Sequence, residues 1–264
     1  MRLTLTSKIV LWAATVVTLA FIYVPILVVV LNSFSTSKTL AWPPPGFTTE
    51  WWAKAFTNEG AVAAITTSAI VATSSTIVAL LLGTALSFAL HRFNFFGKST
   101  VNLLVVLPIA LPGIVTGIAL NNAFRTMLGL QLGWFTIIVA HATFCVVTVF
   151  NNVFARLRRV GTSLEEASSD LGAGIWTTFR LVTFPQIRSA LFAGGLLSFA
   201  LSFDEIIVTT FTAGNGVQTL PIFILENMFR PNQAPIVAVV AVVMILIAIV
   251  PIYIAQRLTS SDNR

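Results

Sequence analysis

Apolar residues gather into six long runs along this chain, and one segment of different texture separates the fourth from the fifth. Residues 9–31, 61–90, 99–124 and 134–155 contain no Asp, Glu, Lys or Arg. A fifth run, about 191–211, is interrupted only by Asp204-Glu205, and a sixth covers about 236–256. At 1.5 Å per helical residue, each reaches across roughly 30 Å of hydrocarbon. The pattern predicts an all-α membrane protein, a single transmembrane domain over residues 1–264 with six helices and both termini on one side. At 23 residues the first run is too long for a signal-peptide core, and no small-x-small cleavage site follows it, so a retained helix is expected.

Composition agrees with this pattern. The chain is 56% hydrophobic and 9% charged, whereas soluble domains carry about a quarter charged residues. A net charge of +6 does not point to nucleic acid, because the basic residues flank the spans rather than forming a reading surface. With the N-terminus inside, cytoplasmic segments hold Arg2, Lys8, Arg92, Lys98, Arg156, Arg158, Arg159, Arg180, Arg188, Arg257 and Arg264, eleven of the fifteen Lys and Arg residues. The positive-inside bias therefore places both termini and the segment 156–190 in the cytoplasm.

Two spans carry further information. In the second, Ser75, Ala79, Gly83 and Ser87 recur every four residues, a small-residue face that lets another helix backbone approach closely. In the third, "LPIALPGIVTGIAL" puts Pro108, Pro112, Gly113 and Gly117 at membrane depth, so this helix should bend or break. Such a break serves either packing alone or a water-lined path.

Signals of catalysis are weak. "GKST" at 97–100 resembles the end of a phosphate-binding loop, but Arg92 stands where its first glycine belongs and a membrane helix precedes it. His91 and His141 are too far apart in sequence to read as a metal-ligand pair, so no metal or cofactor is expected in this chain. Cys145, the lone cysteine, reads as a small packing residue.

The segment 156–190 reads as a helical hairpin. Ser163 followed by Glu166 fits a capping box that starts a helix near Leu164. Gly172 and Gly174 should end that helix in left-handed caps, and a second helix should run from about Ile175 until Pro185 interrupts it. A helix resting on lipid headgroups needs neither an acidic first turn nor a glycine corner. The shape suits a groove on another protein.

These residues carry a family resemblance. Glu166-Ala167-Ser168, three residues, Gly172, nine residues, then Val182-Thr183-Phe184-Pro185 is similar to the E-A-A, G, I-x-L-P loop of bacterial ATP-binding-cassette importer permeases. Ser168, Val182 and Phe184 replace Ala, Ile and Leu. The resemblance implies the six-helix MetI-like fold of type I importers, with this loop as the coupling helix seated in a cytoplasmic ATPase. It also implies that ATP and Mg²⁺ belong to two ATPase subunits, and that a second permease and an external binding protein complete the complex in the bacterial inner membrane. "PPPGFTTEWWAKAF", "HATFCVVTVFNNVFARLRR" and "LSFDEIIVTTFTAG" resemble the spermidine/putrescine branch, especially its YdcV-type members. Gly113 departs from it, standing where several of those permeases place an acid.

Asp204 and Glu205 are the acidic pair within a span, where a carboxylate usually faces a cavity or a partner. On an unbroken helix, Ser198, Ser202, Glu205 and Thr209 would form one polar stripe, with Asp204 about 100° away. The stripe favours Glu205 as a pathway residue, and the resemblance favours Asp204. A helix-pairing role for either acid stays open. Pro112, Gly113 and Ser202 complete the inner candidates. Outside, Trp42, Trp51 and Trp52 fit an interface belt, or offer Trp51 and Trp52 as a surface for an amine. The expected function is an importer permease moving polyamines. The alternatives are another cargo of the same class (an opine, another small organic solute or ferric iron), a secondary transporter or channel without an ATPase, and a membrane enzyme.

Overall fold

A computed structural model describes residues 4–261. Arg2 and Arg264, counted toward the charge bias, lie outside the described residues. Helix α1 (Leu5–Asn32) starts at Thr4, whose side chain accepts the Ser7 backbone N–H at 3.2 Å. Further along lie α2 (Glu50–Thr57), α3 (Glu59–Arg92), α4 (Lys98–Ala110) and α5 (Gly113–Asn122). They are followed by α6 (Trp134–Val160), α7 (Ser163–Asp170), α8 (Ile175–Thr178), α9 (Phe184–Phe203) and α10 (Ile207–Thr212). The last two are α11 (Leu220–Asn227) and α12 (Ala234–Ser261). Among the described residues five helical stretches are long and apolar enough to cross a membrane, and six if the bent pair α4–α5 counts as one.

The chain divides into two compact units, one holding α1 and α2 with Ile224–Ile245, the other built on Ala63–Phe223 with the chain from Leu246 onward. In the first, the loop after α1 folds back on itself. Thr36 N–H donates to the Gly46 carbonyl at 3.0 Å and Thr48 N–H to that of Phe34 at 2.6 Å. This doubled loop receives α2, because the Trp51 indole donates to the Ser35 carbonyl at 2.8 Å and Trp52 stacks on Phe34 at 5.3 Å.

The second unit is organised around α6, whose one face is buried along most of its length. The small-residue face of α3 meets it. Ser75 donates to the Ile138 carbonyl at 3.0 Å and Ser87 to that of Phe150 at 3.2 Å. A Cβ on Gly83 would lie 2.9 Å from both the Val146 carbonyl oxygen and Val149 Cβ. Gly83→Leu is therefore expected to destabilise the protein by about 1–3 kcal/mol through overpacking. A fall in thermal unfolding temperature in detergent, absent for Leu82→Ala on an exposed face, checks it. Helix α9 also packs on α6, with Cys145 and Ser198 exchanging side-chain bonds to each other's carbonyls at 3.4 and 3.2 Å. Cys145 is thus the packing residue expected.

The run 99–124 breaks, as its prolines and glycines predict. The chain bends by 107° between α4 and the α5 segment ending at Met127. Leu111 is extended (φ −81°, ψ 141°), as the residue before a proline prefers, and Pro112 has no N–H to continue the helix. The fifth run, 191–211, is broken too. α9 ends at Phe203 and α10 begins at Ile207, with three residues between them, so Glu205 does not continue a helical stripe. Conversely, Pro185 interrupts nothing. The chain stays helical from Ile175 to Phe203, because a π turn over Phe179–Thr183 ends just before it and Pro185 occupies the start of α9, where its missing N–H costs little.

Candidate functional site

Two places bring together the residues singled out in the sequence. The first is the hairpin α7–α8. Its N-cap is Thr162, one residue earlier than the Ser163 box predicts, and the Thr162 hydroxyl donates to Glu166 Oε1 at 2.6 Å. Gly172 takes a left-handed conformation, φ +80°, and closes a Schellman cap. Its N–H donates to the Ser169 carbonyl at 2.9 Å, and Ala173 N–H donates to that of Ser168 at 3.1 Å. Gly174 is not left-handed but extended, φ −71° and ψ 162°, and serves as the N-cap of α8. Ser168 and Thr178 bond across the corner at 3.0 Å.

Sequence reasoning missed what anchors this hairpin, the neighbour of the motif acid. Glu165 pairs with Arg92 at the end of α3 at 2.7 Å and accepts a 2.5 Å bond from the Thr183 hydroxyl. Arg156 Nε adds a 2.8 Å bond to the Gln186 carbonyl. Leu171, Ile175 and Trp176 around the corner are 89%, 86% and 73% exposed. Ala167 and Pro185 are exposed, Val182 lies half-buried in the π turn, and the Phe184 ring stands 6.2 Å from that of Phe179.

The second place is the break between α9 and α10. Asp204 caps the C-terminus of α9 and is exposed, whereas Glu205 is half-buried and accepts the Val208 N–H at 2.8 Å. The carboxylate of Glu205 is thereby committed to starting α10. Ser202 is buried beneath them, 2.7 Å from His141 Nδ1, and Thr209 lies 2.8 Å from His141 Nε2. Sequence analysis dismissed His141 as a ligand and gave it no other role, although a lone histidine within an apolar run is a signal in itself. Helix α5 lies against α10. Gly113 sits 3.5 Å, measured from an ideal Cβ, from Ile207 Cγ2, and Asn121 donates to the Phe211 carbonyl at 2.5 Å. Pro112 is the N-cap of α5, so both broken segments meet at one level of the unit. Trp51 and Trp52 belong to the other unit, with their ring faces already engaged: Lys54 lies 4.7 Å over Trp51, and Phe34 stacks on Trp52.

Comparison with known proteins gives this arrangement its family. The profile of the family described as "Binding-protein-dependent transport system inner membrane component" matches residues 75–261, which include the hairpin and both breaks. The chain belongs to this family. The permease is 33% identical over 245 residues to the spermidine/putrescine transport system permease protein PotC of Escherichia coli (strain K12), covering 92% of this chain and 91% of the relative. It is 32% identical over 216 residues to the putrescine transport system permease protein PotI of the same strain, covering 79% and 76%. Solved folds agree. A bacterial ABC transporter involved in alginate import superposes with a TM-score of 0.68 at 14% identity over 99% of both chains. The methionine ABC transporter MetNI gives 0.62 at 16% identity, over 77% of this chain and 96% of that one. The six-helix MetI-like fold expected from the sequence is therefore the fold of this permease. Family membership decides for a transport subunit of the inner membrane over a secondary transporter, channel or membrane enzyme.

Proposed function

We propose that the permease moves polyamines from an external binding protein into the cytoplasm, as one of two permease subunits driven by two ATPase subunits that hold ATP and Mg²⁺. The observation that carries this reading is the similarity to PotC over 92% of the chain. The hairpin supports docking to an ATPase. Glu166, Ala167, Ser168, Gly172, Val182, Phe184 and Pro185 keep the family spacing, and Leu171, Ile175 and Trp176 offer exposed apolar surface at its corner. The break supports Asp204 ahead of Glu205 as the acid on the path, because Asp204 is an exposed residue while the carboxylate of Glu205 is taken by the Val208 N–H. Ser202, Pro112 and Gly113 flank that acid as candidates for the same path. Gly113, which brings no charge, favours a second reading, a less highly charged organic cargo.

Copurification tests the assembly. The tagged permease should bring down an ATPase and a second permease, and its binding protein should release a polyamine on denaturation. Isolation without an ATPase, or release of an uncharged solute, contradicts the reading. The orientation, with the hairpin and both termini cytoplasmic, has its own test. Thr178 is buried, so Ser169→Cys and Thr177→Cys at exposed positions are the suitable probes, and the native Cys145 is shielded. Both should resist an impermeant thiol reagent in intact cells and react in inverted vesicles. Labelling from outside would reverse the orientation.

A further inference from the structure

We infer that His141 is a positioning residue for transport, tying the two halves of the broken fifth span together through a one-directional hydrogen-bond chain and so fixing the backbone that presents Asp204. The inference rests on the reading above that Asp204 lies on the cargo path. His141 stands on α6 with no exposed surface. Its two ring nitrogens reach opposite sides of the break: Nδ1 lies 2.7 Å from Ser202 Oγ in the last turn of α9, and Nε2 lies 2.8 Å from Thr209 Oγ1 in α10.

The direction of these bonds follows from counting protons. Thr209 has one hydroxyl proton and gives it to the Glu205 carbonyl at 2.8 Å. Toward His141 it therefore accepts, which puts the imidazole proton on Nε2. A neutral ring protonated there has a bare Nδ1, so Ser202 is the donor. The chain runs from Ser202 through His141 and Thr209 to the carbonyl of Glu205. The Glu205 side chain then takes the Val208 N–H at 2.8 Å. Removing the imidazole leaves Thr209 bonded to the Glu205 carbonyl just ahead of α10. The lost element is the link between α9 and α10, with Asp204 in the gap between them.

The test uses the complete importer with its loaded binding protein, carrying His141→Leu, His141→Gln or Ser202→Ala. Hydrogen–deuterium exchange should rise in the peptide containing residues 204–208 and stay unchanged at the hairpin 163–178. Turnover should fall roughly tenfold in His141→Leu, a loss of transition-state stabilisation, with the KM for the loaded binding protein unchanged. Gln supplies one amide donor and one acceptor, so His141→Gln should recover part of both readouts. Ser202→Ala removes a single oxygen and should show the same exchange signature even if His141→Leu fails to assemble. Wild-type exchange and turnover in His141→Leu and Ser202→Ala would overturn the inference, as would a Gln variant no better than Leu in either readout. A wild-type complex that ignores polyamines would contradict the cargo reading, whereas the exchange result is independent of cargo.

Discussion

Asp204→Asn is expected to lower cation uptake by about tenfold to a hundredfold, the loss of one charge-assisted contact of about 1.5–3 kcal/mol. Membrane abundance and subunit assembly should change little, because Asp204 is exposed and asparagine keeps its size and much of its hydrogen bonding. Glu205→Gln should have the smaller effect. Its carboxylate accepts the Val208 N–H at 2.8 Å, a bond that the amide oxygen of glutamine retains. Uptake per molecule of assembled complex is the measurement, so that a folding defect is not mistaken for a transport defect. Loss of abundance in Asp204→Asn would assign the residue to helix pairing. Full uptake by the double substitution at normal abundance would remove both acids from the path.

Gly172→Asp is expected to abolish uptake while the permease still inserts. The left-handed backbone costs a non-glycine residue about 1–2 kcal/mol, and here it also closes the cap that turns the hairpin. Among the described residues nothing lies within 4 Å of a Cβ at that position, so a new side chain clashes with none of them. The added carboxylate instead enters the exposed corner beside Leu171 and Ile175, where it would meet a docked partner. ATPase should be lost from the purified complex. Gly172→Asn separates the two causes, since asparagine tolerates the left-handed region without adding charge. Normal uptake and ATPase retention by Gly172→Asp would remove the hairpin from the coupling role.

The spans and the hairpin were legible because each is written in local sequence: uncharged runs, a glycine at the corner, small residues every four along α3. Pro112 likewise announced a bend, although not one of 107°. The break at Asp204 was not legible, since the run 191–211 contains no proline and its helix ends where capping and tertiary bonds win over local propensity. Pro185 misled for the opposite reason, because a π turn preceding it absorbs the missing donor. The roles of His141 and Glu165 depend on partners 61 and 73 residues away in the chain, Ser202 and Arg92. No periodicity within a single segment encodes such pairs.

Reconstitution addresses the central claim most directly. The permease, its partner permease and the ATPase are purified as one complex, placed in liposomes, and supplied with binding protein and radiolabelled putrescine or spermidine. ATP enclosed on the hairpin side should drive accumulation of the labelled amine, and the nonhydrolysable analogue should drive none. Accumulation that proceeds equally without ATP, or a complex that hydrolyses ATP in response to its binding protein yet leaves both polyamines outside, would contradict the account.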